Sequence, residues 1–328
     1  MTRYATLAAL LSQRIEQGLY PAGDRLPSVH ALSLEHGVSI STVQQAYRLL
    51  EESQLVEARP KSGYFVQRRR TLAELPAVTR PVQWPVDISQ WEQVLELIRN
   101  KPREDVIQLG RGMPDISEPT LKPLTKALGT LGRHGDLRSL LYDSIQGVIG
   151  LREQIARLLL DSGCQISADQ LVITTGCHEA LFTGLRAVCQ PGDIVAVDSP
   201  CFHGTMQTLK GLGMKALEIP TDPLTGISLE ALELALEQWP VKTILLTPNC
   251  NNPLGYIMPE ERKQRLLTLA QRYDVTIIED DVYGDIAYQY PRPRTIKSFD
   301  EDGRVLLCSS FSKTLAPGLR IGWIAPGR

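Results

Sequence analysis

Three short amphipathic segments open the chain. In residues 4–17 the apolar side chains recur at the spacing of one helical face, at Tyr4, Leu7, Leu11 and Ile15. A period of 3.6 residues predicts a helix there. Pro21 and Gly23 interrupt the pattern, and Ser28 is placed to cap a second helix over roughly residues 29–36.

The third segment follows after a very short turn. Gly37 tolerates the left-handed backbone that a tight turn needs, and Ser39 is placed to cap the next helix. The apolar face of that helix consists of Val43, Ala46, Tyr47 and Leu50. Residues 55–67 then alternate around a Pro-Lys-Ser-Gly turn, which predicts a two-stranded wing. The pattern over residues 1–67 therefore predicts a winged helix-turn-helix.

Polar side chains cover the outward face of the third helix and the turns beside it. Hydroxyl, amide and guanidinium groups hydrogen-bond DNA phosphates and base edges. The candidate DNA-binding residues are Arg25, His30, Ser39, Ser41, Thr42, Gln44, Gln45, Arg48, Lys61 and Gly63. A small helical interaction domain with a solvated polar face is the alternative. The joint occurrence of turn, polar face and wing favours DNA.

The motifs of this segment resemble those of the GntR family of winged helix-turn-helix repressors. The matching motifs are Gly23-Asp24-Arg25-Leu26-Pro27-Ser28, Gly37-Val38-Ser39, Thr42-Val43, Ala46-Tyr47 and Ser62-Gly63-Tyr64-Phe65-Val66. The resemblance implies binding to a double-stranded DNA operator. His30, Ile40 and Gln44 stand where the family often has arginine, so the operator sequence does not follow from the resemblance.

A proline-containing connector follows the wing over residues 68–87. Its prolines are Pro76, Pro81 and Pro85. We expect an extended tether that joins two domains without fixing their orientation. The run Arg68-Arg69-Arg70 either contacts DNA phosphates or is a solvated charge run. An apolar stripe of Trp91, Val94, Leu95 and Ile98 then predicts a further helix that packs into a core.

Past residue 104, apolar strand-like runs alternate with helical patterns. The runs are LVITT (171–175), DIVAVD (193–198), TILLTP (243–248), VTIIED (275–280) and VLLCSS (305–310). This alternation predicts an α/β domain with a mostly parallel sheet, assigned to residues 88–328. In such domains ligands bind beyond the carboxyl ends of the strands.

Residues with distinctive chemistry stand at those strand ends. They are Gly176, Cys177, Phe202, Asn252, Asp280, Tyr283, Ser310, Lys313 and Arg320. Taken singly, each has an ordinary interpretation as a turn, a packed side chain or a surface charge. Together they supply an amine, an acid, donors for a ring oxygen, an aromatic face and a phosphate cradle. Pyridoxal 5'-phosphate (PLP) uses all five, so the sequence predicts that this cofactor binds here.

This arrangement resembles the fold-type I aminotransferases over residues 107–323. The resemblance implies that Lys313 is the Schiff-base lysine and Asp280 the partner of the ring nitrogen. It also implies that Asn252 and Tyr283 contact the ring oxygen. The remaining implied roles are stacking by Phe202 and phosphate binding by Gly176, Cys177, Ser310 and Arg320.

Two further segments are similar to parts of that family. The tripeptide Gly112-Met113-Pro114 is similar to its substrate-side loop. Tyr142 is similar to a tyrosine that reaches the phosphate in the neighbouring subunit, which implies a homodimer with shared sites.

The whole chain resembles the MocR subgroup of GntR regulators, in which the body senses PLP or an amine bound to it. The chain ends at Arg328, short of the small C-terminal domain whose arginine pairs with a substrate carboxylate in the aminotransferases. Three functions stay open. The chain is a DNA-binding regulator with PLP as effector or effector receptor, a PLP-dependent aminotransferase with a DNA-binding head, or a fragment that binds DNA only.

Composition restricts the cellular environment that we expect for this protein. Hydrophobic residues make up 43% of the chain, and no apolar run approaches the length of a membrane span. The amphipathic N-terminus is unlike a signal peptide, so we expect a soluble, cytoplasmic protein. Six irregularly spaced cysteines predict reduced, mostly buried thiols and no metal site. Residues 1–70 carry nine basic against six acidic side chains, while the whole chain has a net charge of −2.

Overall fold

The structure is a computed structural model that describes residues 2–60, 62–67, 75–86, 112–115, 121–135 and 141–327. It divides into two compact units, Met1–Leu75 and Pro76–Arg328. The division falls inside the predicted connector, whose bounds stay a prediction. Lys61, the arginine run at 68–70 and the predicted helix around Trp91 lie outside the described residues.

The first unit contains three helices and a two-stranded wing. The elements are α1 (Arg3–Glu16), α2 (Val29–His36), α3 (Ile40–Glu52), β1 (Val56–Arg59) and β2 (Gly63–Val66). Ser28 Oγ accepts a hydrogen bond from the Ala31 N–H, and Ser39 Oγ accepts one from the Thr42 N–H, both at 3.2 Å. Gly37 ends α2 in the left-handed region with φ 62°. The helices and caps predicted from the sequence are confirmed.

Tyr47 joins the helices to the wing. Its side chain is fully buried, its ring stacks on Tyr64 at 4.2 Å between centroids, and its hydroxyl donates to the Pro27 carbonyl. Residues 23–26 pair with β2 through an isolated bridge between Arg25 and Phe65, and the Leu26 N–H donates to the Tyr64 carbonyl at 2.8 Å. The wing and the three helices therefore share one core.

The second unit alternates strands and helices. Its helices are α4 (Lys122–His134), α5 (Ile149–Leu159), α6 (Cys177–Val188), α7 (His203–Gly211), α8 (Leu229–Gln238) and α9 (Glu260–Arg272). Its strands are β3 (Val172–Thr174), β4 (Ile194–Ser199), β5 (Lys215–Asp222), β6 (Gly226–Ile227), β7 (Val241–Leu246), β8 (Thr276–Asp280), β9 (Val305–Ser310) and β10 (Gly322–Ala325).

These strands form one eight-stranded sheet in the order β3-β10-β9-β8-β7-β4-β5-β6. The five central strands, from β9 to β5, run parallel to one another. β10 is antiparallel to both β3 and β9, and β6 is antiparallel to β5. Helices α8 and α9 pack on one face of the sheet and α6 and α7 on the other. The predicted α/β domain with a mostly parallel sheet is confirmed.

The second half of the predicted connector differs from a free tether. Val86 and Ala216 exchange two backbone hydrogen bonds of 3.0 and 3.2 Å, and the Thr79 hydroxyl donates to the Ser199 carbonyl at 2.6 Å. β5 pairs with β6 only near its C-terminal end, so Val86 satisfies backbone groups on the otherwise open side of β5. Residues 79–86 therefore belong to the second unit.

All six cysteines are free, and four of them are buried. Within the described ranges, no helix is long and apolar enough to cross a membrane.

Candidate functional site

The N-terminal end of α3 presents a cluster of hydroxyl groups. Ser39 Oγ lies 2.9 Å from Ser41 Oγ and 2.8 Å from Thr42 Oγ1, in addition to capping the helix. Gln44, Gln45 and Arg48 are exposed along the same helix. The predicted polar face therefore exists, but Ser39 has a capping role that ties it to the helix terminus.

The Arg25 side chain packs against Gly63, the first residue of the wing strand β2. Gly63 has φ 106°, and a Cβ built there would lie 3.1 Å from Arg25 Nε, so glycine leaves room for the guanidinium. The Arg59 guanidinium lies 4.3 Å above the Phe65 ring, a contact that was not predicted from the sequence. His30 is exposed on α2, and the predicted contact Lys61 lies outside the described residues.

Lys313 lies in the turn that follows β9. Its Nζ donates to the Gly112 carbonyl at 3.0 Å and lies 5.7 Å from the centroid of the Tyr283 ring. Burial lowers the pKa of the Lys313 amine, and the charge of Asp280 opposes that shift. A lowered pKa increases the neutral fraction, which is the nucleophilic form of an amine.

Asp280 is the last residue of β8 and is only 5% exposed. Its Oδ1 accepts hydrogen bonds from the Val282 N–H at 3.2 Å and from Cys177 Sγ at 3.3 Å. Burial raises the pKa of Asp280 to about 6, while these donors and Lys313 act in the opposite direction. A buried acid that interacts electrostatically with a lysine amine is suited to pairing with a cationic ring nitrogen.

Asn252 and Tyr283 form a second polar pair in the same unit. Asn252 Nδ2 donates to Tyr283 Oη at 3.2 Å. Burial raises the pKa of Tyr283, so its phenol stays protonated at neutral pH. Both residues are half-buried.

A tight turn leads from β3 into α6. Gly176 caps α6 with φ 92°, and a Cβ built there would lie 2.3 Å from Arg320 Nη2. That guanidinium donates to the Thr175 carbonyl at 3.0 Å. Free N–H groups at the start of α6 and the adjacent Arg320 favour an anion. Ser310, at the end of β9, is buried and accepts a hydrogen bond from the Ser312 N–H at 3.3 Å.

Phe202 and Tyr142 stand in different surroundings. The Phe202 ring is half-buried at the start of α7 and meets the His178 ring edge-on at 5.8 Å between centroids. Burial and the charge of Arg320 lower the pKa of His178, so this neighbour is neutral at physiological pH. Tyr142 has 106% relative exposure. Its role across a dimer stays a prediction.

A buried ionic network fixes the residues that follow β8. Arg292 pairs with Asp281 and with Asp285, the latter at 2.5 Å. Asn249 Nδ2 donates to Asp281 Oδ1 at 2.9 Å, and Lys263 Nζ donates to Asn249 Oδ1 at 2.7 Å. These bonds fix the backbone next to Asp280, because each buried charge needs its partners to remain in place.

Three contacts at this site were not predicted from the sequence. The thiol of Cys177 is directed at Asp280, which leaves only its backbone N–H for a phosphate. The Gly112 carbonyl accepts from Lys313. A Cβ on Gly322 would lie 2.4 Å from the Gly176 carbonyl carbon, so glycine lets β10 approach the turn. A glycine within a strand signals such an approach, whereas the direction of a cysteine side chain has no sequence signal.

Comparison with known proteins divides the chain as the fold does. The family model for bacterial regulatory proteins of the gntR family matches residues 3–66. The model for class I and II aminotransferases matches residues 104–326.

Among curated proteins, the chain is 60% identical over its full length to the HTH-type transcriptional regulator YjiR of Escherichia coli (strain K12). It is 39% identical, again over its full length, to the regulator YdcR of the same organism. The chain covers 70% of each of these two regulators.

Among solved structures, 72% of the chain matches an archaeal alanine:glyoxylate aminotransferase at 30% identity and a TM-score of 0.65. The same share matches the kynurenine aminotransferase of Pyrococcus horikoshii at 33% identity and a TM-score of 0.63. The chain spans 59% of the length of each of these aminotransferases.

A winged helix followed by an aminotransferase-like body defines a class of bacterial DNA-binding transcriptional regulators. The chain belongs to the gntR family of regulatory proteins, in the MocR type that carries a class I and II aminotransferase domain. The aminotransferase domain implies dependence on PLP.

The residues of the second unit fit that cofactor on structural grounds. Asp280 offers a buried acid, and Lys313 offers an amine of lowered pKa near it. Gly176 leaves room for the Arg320 guanidinium, which any Cβ at that position would displace. The donor set therefore combines an acid, an amine and an anion cradle, which are the groups that a phosphorylated pyridine aldehyde requires.

Proposed function

We propose that this regulator binds PLP in its aminotransferase-like body, and that PLP acts there as the effector or as the receptor for an amine effector. The single observation that supports this most is the position of Lys313. Its amine has a lowered pKa, interacts electrostatically with the buried Asp280, and lies near the Tyr283 ring. A surface lysine used only for solubility would have none of these neighbours.

In this proposal each group has one part of the cofactor to hold. The Asp280 carboxylate pairs with the ring nitrogen, and the Tyr283 hydroxyl and Asn252 amide contact the ring oxygen. The remaining contacts are stacking by Phe202 and phosphate binding by Gly176, Cys177, Ser310 and Arg320. When bound, PLP supplies an aldehyde that reacts with amines and a ring that withdraws electrons.

The chain's own residues set the protonation of this pocket. Burial and the Asp280 carboxylate act in opposite directions on the Lys313 amine, and the net result favours its neutral form relative to an exposed lysine. The Asp280 carboxylate favours a proton on a ring nitrogen that pairs with it. Tyr283 stays a hydrogen-bond donor because burial raises the pKa of its phenol.

The proposal extends to an amino-acid or other amine effector and to a homodimer. An amine is the natural effector for a pocket that places an aldehyde next to a lysine, because both amines react with the same carbon. Tyr142 and Ile145 are completely exposed on one short segment, which supports a surface that a second copy covers. Analytical ultracentrifugation of the full chain checks the dimer.

An absorbance and DNA-binding experiment tests the proposal. We expect PLP to give the full chain a visible absorption band, and borohydride reduction to attach the phosphopyridoxyl group to Lys313 in a peptide map. Lys313→Ala should lose both signals. Lys242→Ala is the matched control, because Lys242 is exposed at the start of β7, at the opposite end of that strand from the pocket side.

The second arm measures binding to the upstream DNA of the regulator's own gene. We expect added PLP to change the DNA affinity of the wild type and of Lys242→Ala, but not that of Lys313→Ala. DNA affinity that is indifferent both to PLP and to Lys313→Ala would overturn the proposal. Turnover of an amino donor with a keto acid, without any effect on DNA binding, would favour an aminotransferase instead.

A further inference from the structure

Cys177 links the two ends of the candidate PLP site. It is the first residue of α6, so its backbone N–H belongs to the helix terminus that faces the phosphate cradle. Its side chain points the other way, and Sγ lies 3.3 Å from Asp280 Oδ1 at the end of β8. One residue therefore touches both the anion turn and the acid.

We infer that Cys177 is a positioning residue for PLP, which acts by holding the Asp280 carboxylate in the orientation that meets the ring nitrogen. The inference rests on the proposed function. It assigns the cysteine a hydrogen-bonding role in addition to the phosphate contact expected of its backbone.

Both hydrogen bonds to the Asp280 carboxylate end on the same oxygen. Val282 N–H and Cys177 Sγ both end on Oδ1, at 3.2 and 3.3 Å. In the part of the chain that the structure describes, no hydrogen bond ends on Oδ2. With Oδ1 held by one donor from the turn after β8 and one from α6, the carboxylate cannot rotate freely. Oδ2 is then the oxygen that remains for a cationic partner.

Cys177 is suited to donate rather than to accept. Its side chain is buried, and burial together with the Asp280 charge raises the pKa of the thiol well above its ordinary value. The group therefore keeps its proton across the physiological range. A donor to a carboxylate stabilises the charged form, so Cys177 favours ionised Asp280.

The other groups that face Asp280 do not replace this contact. Lys313, in the turn after β9, favours the charged form of the Asp280 carboxylate. The neighbouring residue Asp281 disfavours that charged form. Cys308 lies opposite Asp280 in the β8–β9 register, and Tyr283 follows in the chain. Burial raises the pKa of both of these groups, so each is neutral, and neither makes a hydrogen bond to Asp280 in the described residues.

The test compares Cys177→Ala, Cys177→Ser and Cys308→Ala with the wild type, each as the full chain. Serine retains a hydroxyl donor, whereas alanine removes it. Cys308→Ala is the matched control, because it removes another buried thiol, from the strand next to β8. The probe is PLP itself, and the dissociation constant is read from the visible band at several pH values between about 4.5 and 8. This range brackets the raised pKa of Asp280, which is about 6.

We expect Cys177→Ala to weaken PLP binding by about 5- to 20-fold, since a hydrogen bond to a charged group is lost. The acid limb of the binding curve, where Asp280 becomes protonated, should move upward by roughly 0.5 to 1 pH unit, because the carboxylate loses a donor. Cys177→Ser should restore both values to within about twofold of wild type, as a retained donor would. Cys308→Ala should leave both unchanged.

The inference is overturned if Cys177→Ala binds PLP with the wild-type affinity and pH limb. It is also overturned if serine fails to rescue a loss in the alanine variant while both variants melt at the wild-type temperature. In each case the wild type still binds PLP, so the proposed function survives. A wild-type chain without any visible band overturns the proposed function, and this inference with it.

Discussion

Gly176 is the residue at which the backbone and the candidate phosphate cradle meet. Its φ of 92° and ψ of 169° lie in a region that only glycine occupies readily, and a Cβ would collide with Arg320 Nη2. We predict that Gly176→Ala weakens PLP binding at least about tenfold, since the displaced guanidinium loses a charged phosphate contact. Titration of the visible band measures the effect.

Gly192 is the matched control for that prediction. It has the same φ of 92°, but a Cβ built there meets nothing within 4 Å. Both alanine variants should lose roughly 1 to 3 kcal/mol of stability through backbone strain, which is a few degrees in melting temperature for a domain of this size. Only Gly176→Ala should lose PLP affinity. Equal PLP binding by the two variants would contradict the cradle.

Asp198 imposes a pH dependence on the stability of the second unit. Its Oδ2 accepts from Asn251 Nδ2 at 2.8 Å and from Tyr256 Oη at 3.0 Å, while its buried Oδ1 has no partner in the described residues. Burial raises its pKa from 3.8 to about 7. Between these values the folded chain binds more protons than the unfolded chain, so this carboxyl lowers the free energy of unfolding as pH rises.

We predict that Asp198→Asn removes this loss. The asparagine oxygen still accepts both hydrogen bonds without a buried charge, so the melting temperature at pH 8 should exceed the wild type by about 5 °C or more. At pH 4 the two proteins should melt together. Asp222→Asn is the contrasting control: backbone donors from Leu224 and Thr225 lower the pKa of Asp222, so its loss should destabilise the protein at pH 8. Calorimetry across this range would contradict the prediction if Asp198→Asn gave no gain.

Residue types at strand ends could be predicted from the sequence because they are chemically distinctive. Lys313, Asp280 and the Asn252–Tyr283 pair lie in the second unit as the pattern indicated, and their contacts link several strand ends. The direction of the Cys177 side chain could not be predicted. It depends on the distance between the start of α6 and the end of β8, which no local signal encodes.

At the scale of elements, local signals determined the N-terminal unit. Helices α2 and α3 begin directly after the serines predicted to cap them, because a cap is a contact between residues three apart. The strand order of the second unit has no such signal. β10 lies between β3 and β9, and it pairs with residues as far away in sequence as Val172. Pairing at that range depends on tertiary packing, which the periodicity of one strand does not report.

The connector illustrates the same limit. Its prolines predict an extended chain, and residues 79–86 carry no periodicity that marks a strand. Val86 nevertheless pairs with Ala216, because β5 leaves backbone donors and acceptors open there. The open backbone groups of a sheet edge can pair with many sequences. The sequence of residues 79–86 therefore does not predict that they pair with β5.

At the scale of the whole molecule, the proposed function requires that PLP and DNA affect each other through one chain. If PLP changes the affinity for operator DNA by some factor, thermodynamic linkage requires DNA to change the affinity for PLP by the same factor. This reciprocity holds for any arrangement of the two units. Measuring both factors therefore tests the proposed regulation directly, and the test does not depend on how the two units are arranged.

We predict that PLP changes the affinity for DNA, and DNA the affinity for PLP, by the same factor. That factor should be about 5- to 150-fold, the range usual for coupled sites. DNA affinity is measured by fluorescence anisotropy with and without PLP, and PLP affinity by the visible band with and without operator duplex. Both titrations use the same salt concentration, because DNA affinity depends steeply on salt. Arg48→Ala is the control: Arg48 is exposed on α3, so its loss should weaken DNA binding and leave PLP affinity without DNA unchanged. If neither ligand changes the affinity of the other in the wild type, PLP is not the effector of this regulator.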